Sequence, residues 1–230
     1  MGDYGNLTVI LPTLNEGANI ASLLDFLIAG YPGIHVLVVD DASTDSTART
    51  VKSKAGKNLK LIERRGKRGL TASIIDGIKA AQTPFVIVMD SDFQHPPEKI
   101  PEIYKLLRDG SDLAIACREE VKGWPAHRRL ISWGASFLAD ARLSICGCPK
   151  VSDILSGYFG AKREWALKSI ASNTKRFEPQ GYKFLFDLLK GVKPGSVKIS
   201  EAGYVFGGRK AGNSKIGPGH MLRFLHSLFI

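Results

Sequence analysis

Phe85-Val-Ile-Val-Met-Asp-Ser-Asp-Phe-Gln-His-Pro-Pro-Glu98 changes character in one step: five apolar residues, then two acids one residue apart, then a pair of prolines. A short, continuously apolar run reads as a strand buried on both faces, the kind found in parallel sheets covered by helices. Carboxylates directly at its end are out of place in a core and in place at a ligand site. Proline at the start of the following run, 97–107, suits the first turn of a helix.

The same rhythm repeats on both sides of this stretch. Leu7–Leu11 is β-rich and ends at Pro12; a helix follows through Ile20, Leu23, Leu24 and Leu27, spaced for one buried face. Ile34–Val39 is a second apolar strand, followed by Asp40-Asp-Ala-Ser-Thr-Asp45 and a helix over 46–54. Strands over 59–62 and 112–116 and a helix over 69–81 complete the pattern. The predicted fold is α/β, a mostly parallel Rossmann-like sheet flanked by helices. In such sheets ligands bind at the carboxyl ends of strands, here after Val39 and after Met89. The second half is less regular, with helices over 125–145 and 182–189, an extended run over 197–206 and a glycine-rich loop over 207–219.

The 230 residues are 44% hydrophobic and 23% charged, as in a soluble globular domain, and carry a net charge of +10. That charge favours an anionic partner. A nucleic-acid platform would interleave aromatics with the basic residues, and these are scattered instead, so no nucleic-acid partner is expected. Cys117, Cys146 and Cys148 form no disulfide framework and no zinc spacing, which points to the reducing cytoplasm. No apolar stretch reaches the roughly 18–20 residues of a membrane span, and the amino terminus carries no secretory leader pattern.

Asp90 and Asp92 can face one hard cation, with Gln94 as a third oxygen donor; Mg²⁺ or Mn²⁺ accepts such ligands together with substrate phosphates and neutralises charge on a diphosphate leaving group. Asp40 and Asp41 sit where a nucleotide's base and ribose would be read, although such a turn can also cap the following helix. Arg64-Arg-Gly-Lys-Arg-Gly69 opens a helix and reads equally as a phosphate-binding corner or as a solvated basic loop. Arg128 and Ser132 are four apart on one helix face, a pattern that suits an anionic headgroup or an ordinary packed helix with exposed arginines. Arg209 and Lys215 flank the glycine-rich loop, which could close over a diphosphate.

Taken together, Leu11-Pro-Thr-Leu-Asn-Glu16, the Val38–Asp45 run, Met89–Glu98, Gly69-Leu70 with Asp76-Gly77, Ser156-Gly157, Glu178–Lys183 and the Arg209…Ser214-Lys215 ending resemble the family 2 glycosyltransferases of the GT-A fold, from about residue 7 to 216. Within them the pattern is most similar to the branch that makes dolichyl phosphate mannose. The resemblance implies an inverting transfer of mannose from GDP-mannose to dolichyl or another polyprenyl phosphate, with Mg²⁺ or Mn²⁺. It places Pro12, Leu14, Glu16, Val38 and Asp40 around the guanosine with Asp41 nearby, Asp90, Ser91, Asp92 and Gln94 at the metal diphosphate, Arg118, Arg209 and Lys215 on phosphates, and Arg128 and Ser132 at the lipid phosphate. Asp92 is the candidate base. An alternative is a polyprenyl-phosphate glucosyltransferase or another enzyme using a UDP-sugar. Leu14 stands where the pattern has tyrosine, Ser91 where it has alanine, and the 119–125 segment is shorter. The resemblance also implies work at the cytoplasmic face of a membrane, peripherally or through an anchor or a partner subunit. The expected division is a catalytic domain over 1–219 and an amphipathic segment over 220–230, which could lie in the membrane interface, be the stump of an anchor, or pack on its own domain.

Overall fold

A computed structural model describes residues 2–121, 126–208 and 218–229. Seven strands form one sheet in the order β3-β2-β1-β4-β6-β5-β7. They are β1 (Leu7–Thr13), β2 (His35–Asp40), β3 (Leu59–Glu63), β4 (Phe85–Val88), β5 (Leu113–Val121), β6 (Phe159–Lys162) and β7 (Ile199–Phe206). β1 runs parallel to β2 and β4, β2 to β3, and β5 to β7, whereas β6 is antiparallel to both of its neighbours. The first three strands step outward from β1 and β4 returns to its other side. That reversal opens a crevice at the carboxyl ends of β1 and β4, where α/β sheets bind ligands.

The helices are α1 (Ile20–Gly30), α2 (Thr47–Lys54), α3 (Leu70–Ala80), α4 (Ile100–Arg108), α5 (Ala126–Ile145), α6 (Arg163–Ser172), α7 (Phe184–Leu189) and α8 (Pro218–Ser227). They split the apolar side chains into two cores. Leu7, Val9 and Leu11 of β1 point to the side of α1 and α4 with Leu23, Leu27 and Ile103; Ile10 points to the other side with Ile74 and Ile78 of α3 and with Phe186 and Phe224 of α7 and α8. The unbroken apolar runs of the sequence therefore resolve into a two-faced sheet.

Two elements were not legible. β6 and α6 occupy 159–172, where four-residue Phe-Gly-Ala-Lys carries no strand-length signal. The division expected at 219/220 falls inside α8. Its Phe224 is 2% exposed and packs 6.0 Å from the ring of Phe186, and its last turn is tied down by Lys190, whose ammonium donates to the Ser227 carbonyl at 2.8 Å.

Candidate active site

A cavity of about 450 Å³ opens at the crevice. Pro12, Leu14 and Glu16 line it from the end of β1, Asp41 from the end of β2, and Asp90, Ser91, Asp92 and Gln94 from the end of β4; Arg118 reaches it from β5. Three non-glycine residues with left-handed backbone, Asn15 (φ 51°), Ala42 (φ 60°) and Phe93 (φ 64°), follow these same strand ends. Such conformations cost about 1 kcal/mol each and concentrate where a chain must turn to present side chains to a ligand. Another cleft, at the amino-terminal ends of β1 and β2, is lined by Thr8, His35 and Lys57 among others and by no acidic residue.

The structure separates the two acids after β2. Asp40 is 2% exposed and lies outside the cavity lining; its carboxylate accepts from the Ser43 amide at 3.0 Å, from the Ser43 hydroxyl and from the Thr13 hydroxyl at 3.3 Å, and so holds the turn. Val38 is fully buried in the core and does not line the cavity either. Asp41 faces the cavity and accepts from the Gly69 amide at 2.7 Å and from the Arg64 guanidinium, which also donates to Asp76 at 2.8 Å.

This changes the reading of Arg64–Gly69. Arg64 is a structural cation, and the amino end of α3 is already occupied: the amides of Thr71 and Ala72 donate to the carbonyls of Gly181 and Pro179, both at 3.2 Å. Of the basic run, only Arg68 and Gly69 line the cavity, with Arg68 donating to the Ala42 carbonyl at 2.7 Å. The segment is a wall of the site braced by 178–183, and those helix amides are not offered to a phosphate.

At the end of β4, Asp92 is 2% exposed and accepts from the Gln94 amide at 3.0 Å. The Gln94 side chain donates to the Gly207 carbonyl at 3.1 Å, which fixes its orientation. The Asp90 amide donates to Nδ1 of His95 at 2.9 Å, and burial lowers the His95 pKa to about 4, so the ring is a neutral acceptor stacked 5.0 Å from Tyr158. Two carboxylates and an amide oxygen are hard donors suited to Mg²⁺ or Mn²⁺ and fall short of a full octahedral set, which leaves coordination positions for phosphate oxygens and water. Among the described residues no three His, Cys, Asp or Glu side chains form a closed metal cage.

Arg118 forms a fork with Asp153, Nε to Oδ2 and Nη2 to Oδ1, both 2.6 Å, and its own amide donates to Oδ2 at 3.1 Å. Burial alone would raise the Asp153 carboxyl, but its hydrogen bonds to Arg118 hold it below the usual carboxylate range. Asp153 was not foreseen, because a partner 35 residues away leaves no local signal. Lys183, which closes the Glu178–Lys183 motif but has no site role in the sequence reading, and Arg223, which has no signal at all, line the same cavity from the segment before α7 and from α8. Ser132 is half-buried on α5 and does not line it. The Arg128 side chain, Arg209 and Lys215 lie outside the described residues.

Known proteins resemble this chain in sequence and in fold. Residues 8–169 match the family model described as glycosyl transferase family 2. Curated relatives called dolichol-phosphate mannosyltransferase are 33% identical over 97% of the chain in Pyrococcus furiosus and 31% identical over 96% in Saccharomyces cerevisiae. The chain spans 62% of the length of the first and 85% of the second. Among solved structures, glucosyl-3-phosphoglycerate synthase from Mycobacterium tuberculosis in complex with Mn²⁺, UDP and glucosyl-3-phosphoglycerate superposes with a TM-score of 0.64 at 22% identity, covering 97% of this chain and 77% of that one. The fold is that of GT-A glycosyltransferases. With the order of its strand-end motifs, the cavity they build and a family match covering most of the sheet, the chain belongs to glycosyl transferase family 2.

Proposed function

We propose that this protein transfers mannose from GDP-mannose to dolichyl or another polyprenyl phosphate at the cytoplasmic face of a membrane, with Mg²⁺ or Mn²⁺. The observation that carries the reading is the convergence of Asp90, Asp92 and Gln94 with Asp41 and Glu16 on one cavity at the switch point of the sheet. Hydroxyl and ring N–H groups of a nucleoside suit the carboxylates of Glu16 and Asp41, while Asp90, Asp92 and Gln94 would hold the metal. Bound there, the metal would neutralise the diphosphate leaving group as a Lewis acid.

The chain's own residues supply positioning. His95 fixes the backbone of Asp90 through a neutral ring, Gln94 braces Asp92, and Arg118, locked by Asp153, presents its remaining N–H edge to the cavity. A phosphate monoester is anionic at neutral pH and needs little proton abstraction, so orientation and charge stabilisation carry most of the rate. Asp92 would accept a proton where one must leave. Sugar identity and lipid acceptor follow the mannosyltransferase relatives; a UDP-sugar donor is the competing reading, favoured by UDP in the structural neighbour.

The test is transfer of labelled mannose from GDP-mannose to a polyprenyl phosphate in detergent, with Mg²⁺ or Mn²⁺ and with EDTA. Labelled lipid is expected, and both EDTA and Asp92→Ala should reduce it by about a hundred- to a thousandfold, the scale of losing a charge-stabilising group at a reacting centre. Transfer from UDP-glucose with none from GDP-mannose would replace the donor assignment.

A further inference from the structure

Among the described residues four cations line the cavity: Arg68, Arg118, Lys183 and Arg223. Arg118 is neutralised by Asp153, and Arg68 is exposed, where water compensates its charge. Lys183 and Arg223 differ from both. Each is partly buried, and each makes one hydrogen bond to a backbone carbonyl: Lys183 to Leu155 at 3.1 Å and Arg223 to Gln180 at 3.4 Å. Neither has a carboxylate partner among the described residues. A lysine ammonium offers three donors and a guanidinium five, so most of their donor capacity is unspent. Burial lowers the Lys183 pKa to about 7, with the nearby Arg118 charge acting in the same direction. The Asp153 and Asp90 charges act on Lys183 in the opposite direction and offset only part of this, so the two cations keep donors open to an anion.

The two also sit on one mechanical unit. Lys183 ends the 178–183 segment that braces α3, and Arg223 lies on α8, which is fastened to that segment by His226 on Glu178 at 3.0 Å and to the end of α7 by Lys190 on the Ser227 carbonyl at 2.8 Å. Phe224 of the same helix packs on the ring of Phe186 in α7.

We propose that Lys183 and Arg223 form a two-cation clamp for a phosphate oxyanion of a bound substrate, which makes α8 a working part of the site. The inference rests on the function proposed above in taking the ligand to be either the donor's diphosphate or the acceptor's phosphate monoester.

Calorimetric titration with Mg²⁺ present would use two probes, inorganic pyrophosphate for the first source and farnesyl phosphate for the second. Lys183→Met and Arg223→Gln should each weaken one of them by about tenfold, the scale of one charge-assisted hydrogen bond, while Lys183→Arg and Arg223→Lys retain most of the affinity. Loss confined to pyrophosphate assigns the clamp to the donor; loss confined to farnesyl phosphate assigns it to the acceptor. Lys183→Met does not touch the α8 attachments, so it reads the clamp even if Arg223→Gln loosens the helix. Both probes binding both variants as tightly as wild type would overturn the clamp. Binding needs no turnover: a wild type that holds these probes through Lys183 and Arg223 but moves no mannose keeps the clamp and loses the proposed function, and active transfer with unchanged binding does the reverse.

Discussion

At the scale of single residues, the site depends on side chains that hold others in place. Arg118 is useful only while Asp153 fixes its fork, and Asp153 is 8% exposed. Replacing Asp153 by Ala leaves a largely buried guanidinium without its counter-charge, a loss of about 3 kcal/mol in stability for a broken buried pair. Mannose transfer should fall by about a hundredfold in kcat/KM, as expected when a group beside the reacting atoms loses its orientation. The pH dependence follows from the same pair. The folded carboxyl titrates below its ordinary 3.8, so the unfolded chain binds the proton first; the pair's contribution is present above that pH and is lost as pH falls through the folded value. Urea unfolding of wild type and Asp153→Ala should differ at neutral pH and converge in acid. A constant difference down to strongly acidic pH would mean that the carboxylate charge plays no part.

At the scale of elements, the contact between α3 and the 178–183 segment shapes one wall of the cavity. A Cβ on Gly69 would overlap the Pro179 carbonyl oxygen and come within 2.9 Å of the Gln180 Cα, both backbone atoms with no rotamer to yield. Gly69→Ala should therefore push the segment away, lower stability by about 1–3 kcal/mol as overpacking does, and weaken GDP binding by calorimetry; unchanged GDP affinity would show that the segment does not shape the pocket. This contact also marks where reading the sequence stops. The strands and helices from 7 to 116 announced themselves because each apolar run has the length and period of its element, and the acids after Val39 and Met89 stood out against those runs. The choice between Asp40 and Asp41 was invisible, since it depends on which carboxylate the Ser43 turn consumes. The occupation of the α3 amides by carbonyls 110 residues downstream was equally invisible, because nothing local to Gly69 specifies it. Arg223 belongs to the same class, an ordinary basic residue in sequence that α8 brings to the cavity, whereas Lys183 stands in the Glu178–Lys183 motif and only its place in the cavity was illegible.

At the scale of the whole molecule, the surface is uneven in a way that bears on the acceptor. Leu130 and Trp133 are each 67% exposed, Phe137 61% and Ile145 83% on α5; Leu222 is 69% exposed on α8, and Phe229 just beyond it 85%. Trp133 and Phe137, four apart, stack at 6.0 Å on one face of α5, and Arg142 of α5 donates to the Leu228 carbonyl after α8 at 2.6 Å, which ties the end of α8 to α5. Soluble monomers rarely expose so many large apolar groups together. On a chain of net charge +10, such a face suits the interface of an anionic bilayer. Among the described residues no helix is long and apolar enough to cross a membrane. Trp133→Glu combined with Phe137→Glu should lower partitioning onto anionic phospholipid vesicles by about tenfold or more, each buried aromatic being worth roughly 1.5–3 kcal/mol. The same pair should raise the KM for polyprenyl phosphate embedded in those vesicles and leave the KM for GDP-mannose unchanged, because the nucleotide cavity lies at the strand ends and not on this face. If the double variant instead converts a lipid-independent dimer to a monomer in sedimentation, with vesicle binding intact, the face belongs to a second copy of the chain and the lipid must reach the cavity from elsewhere.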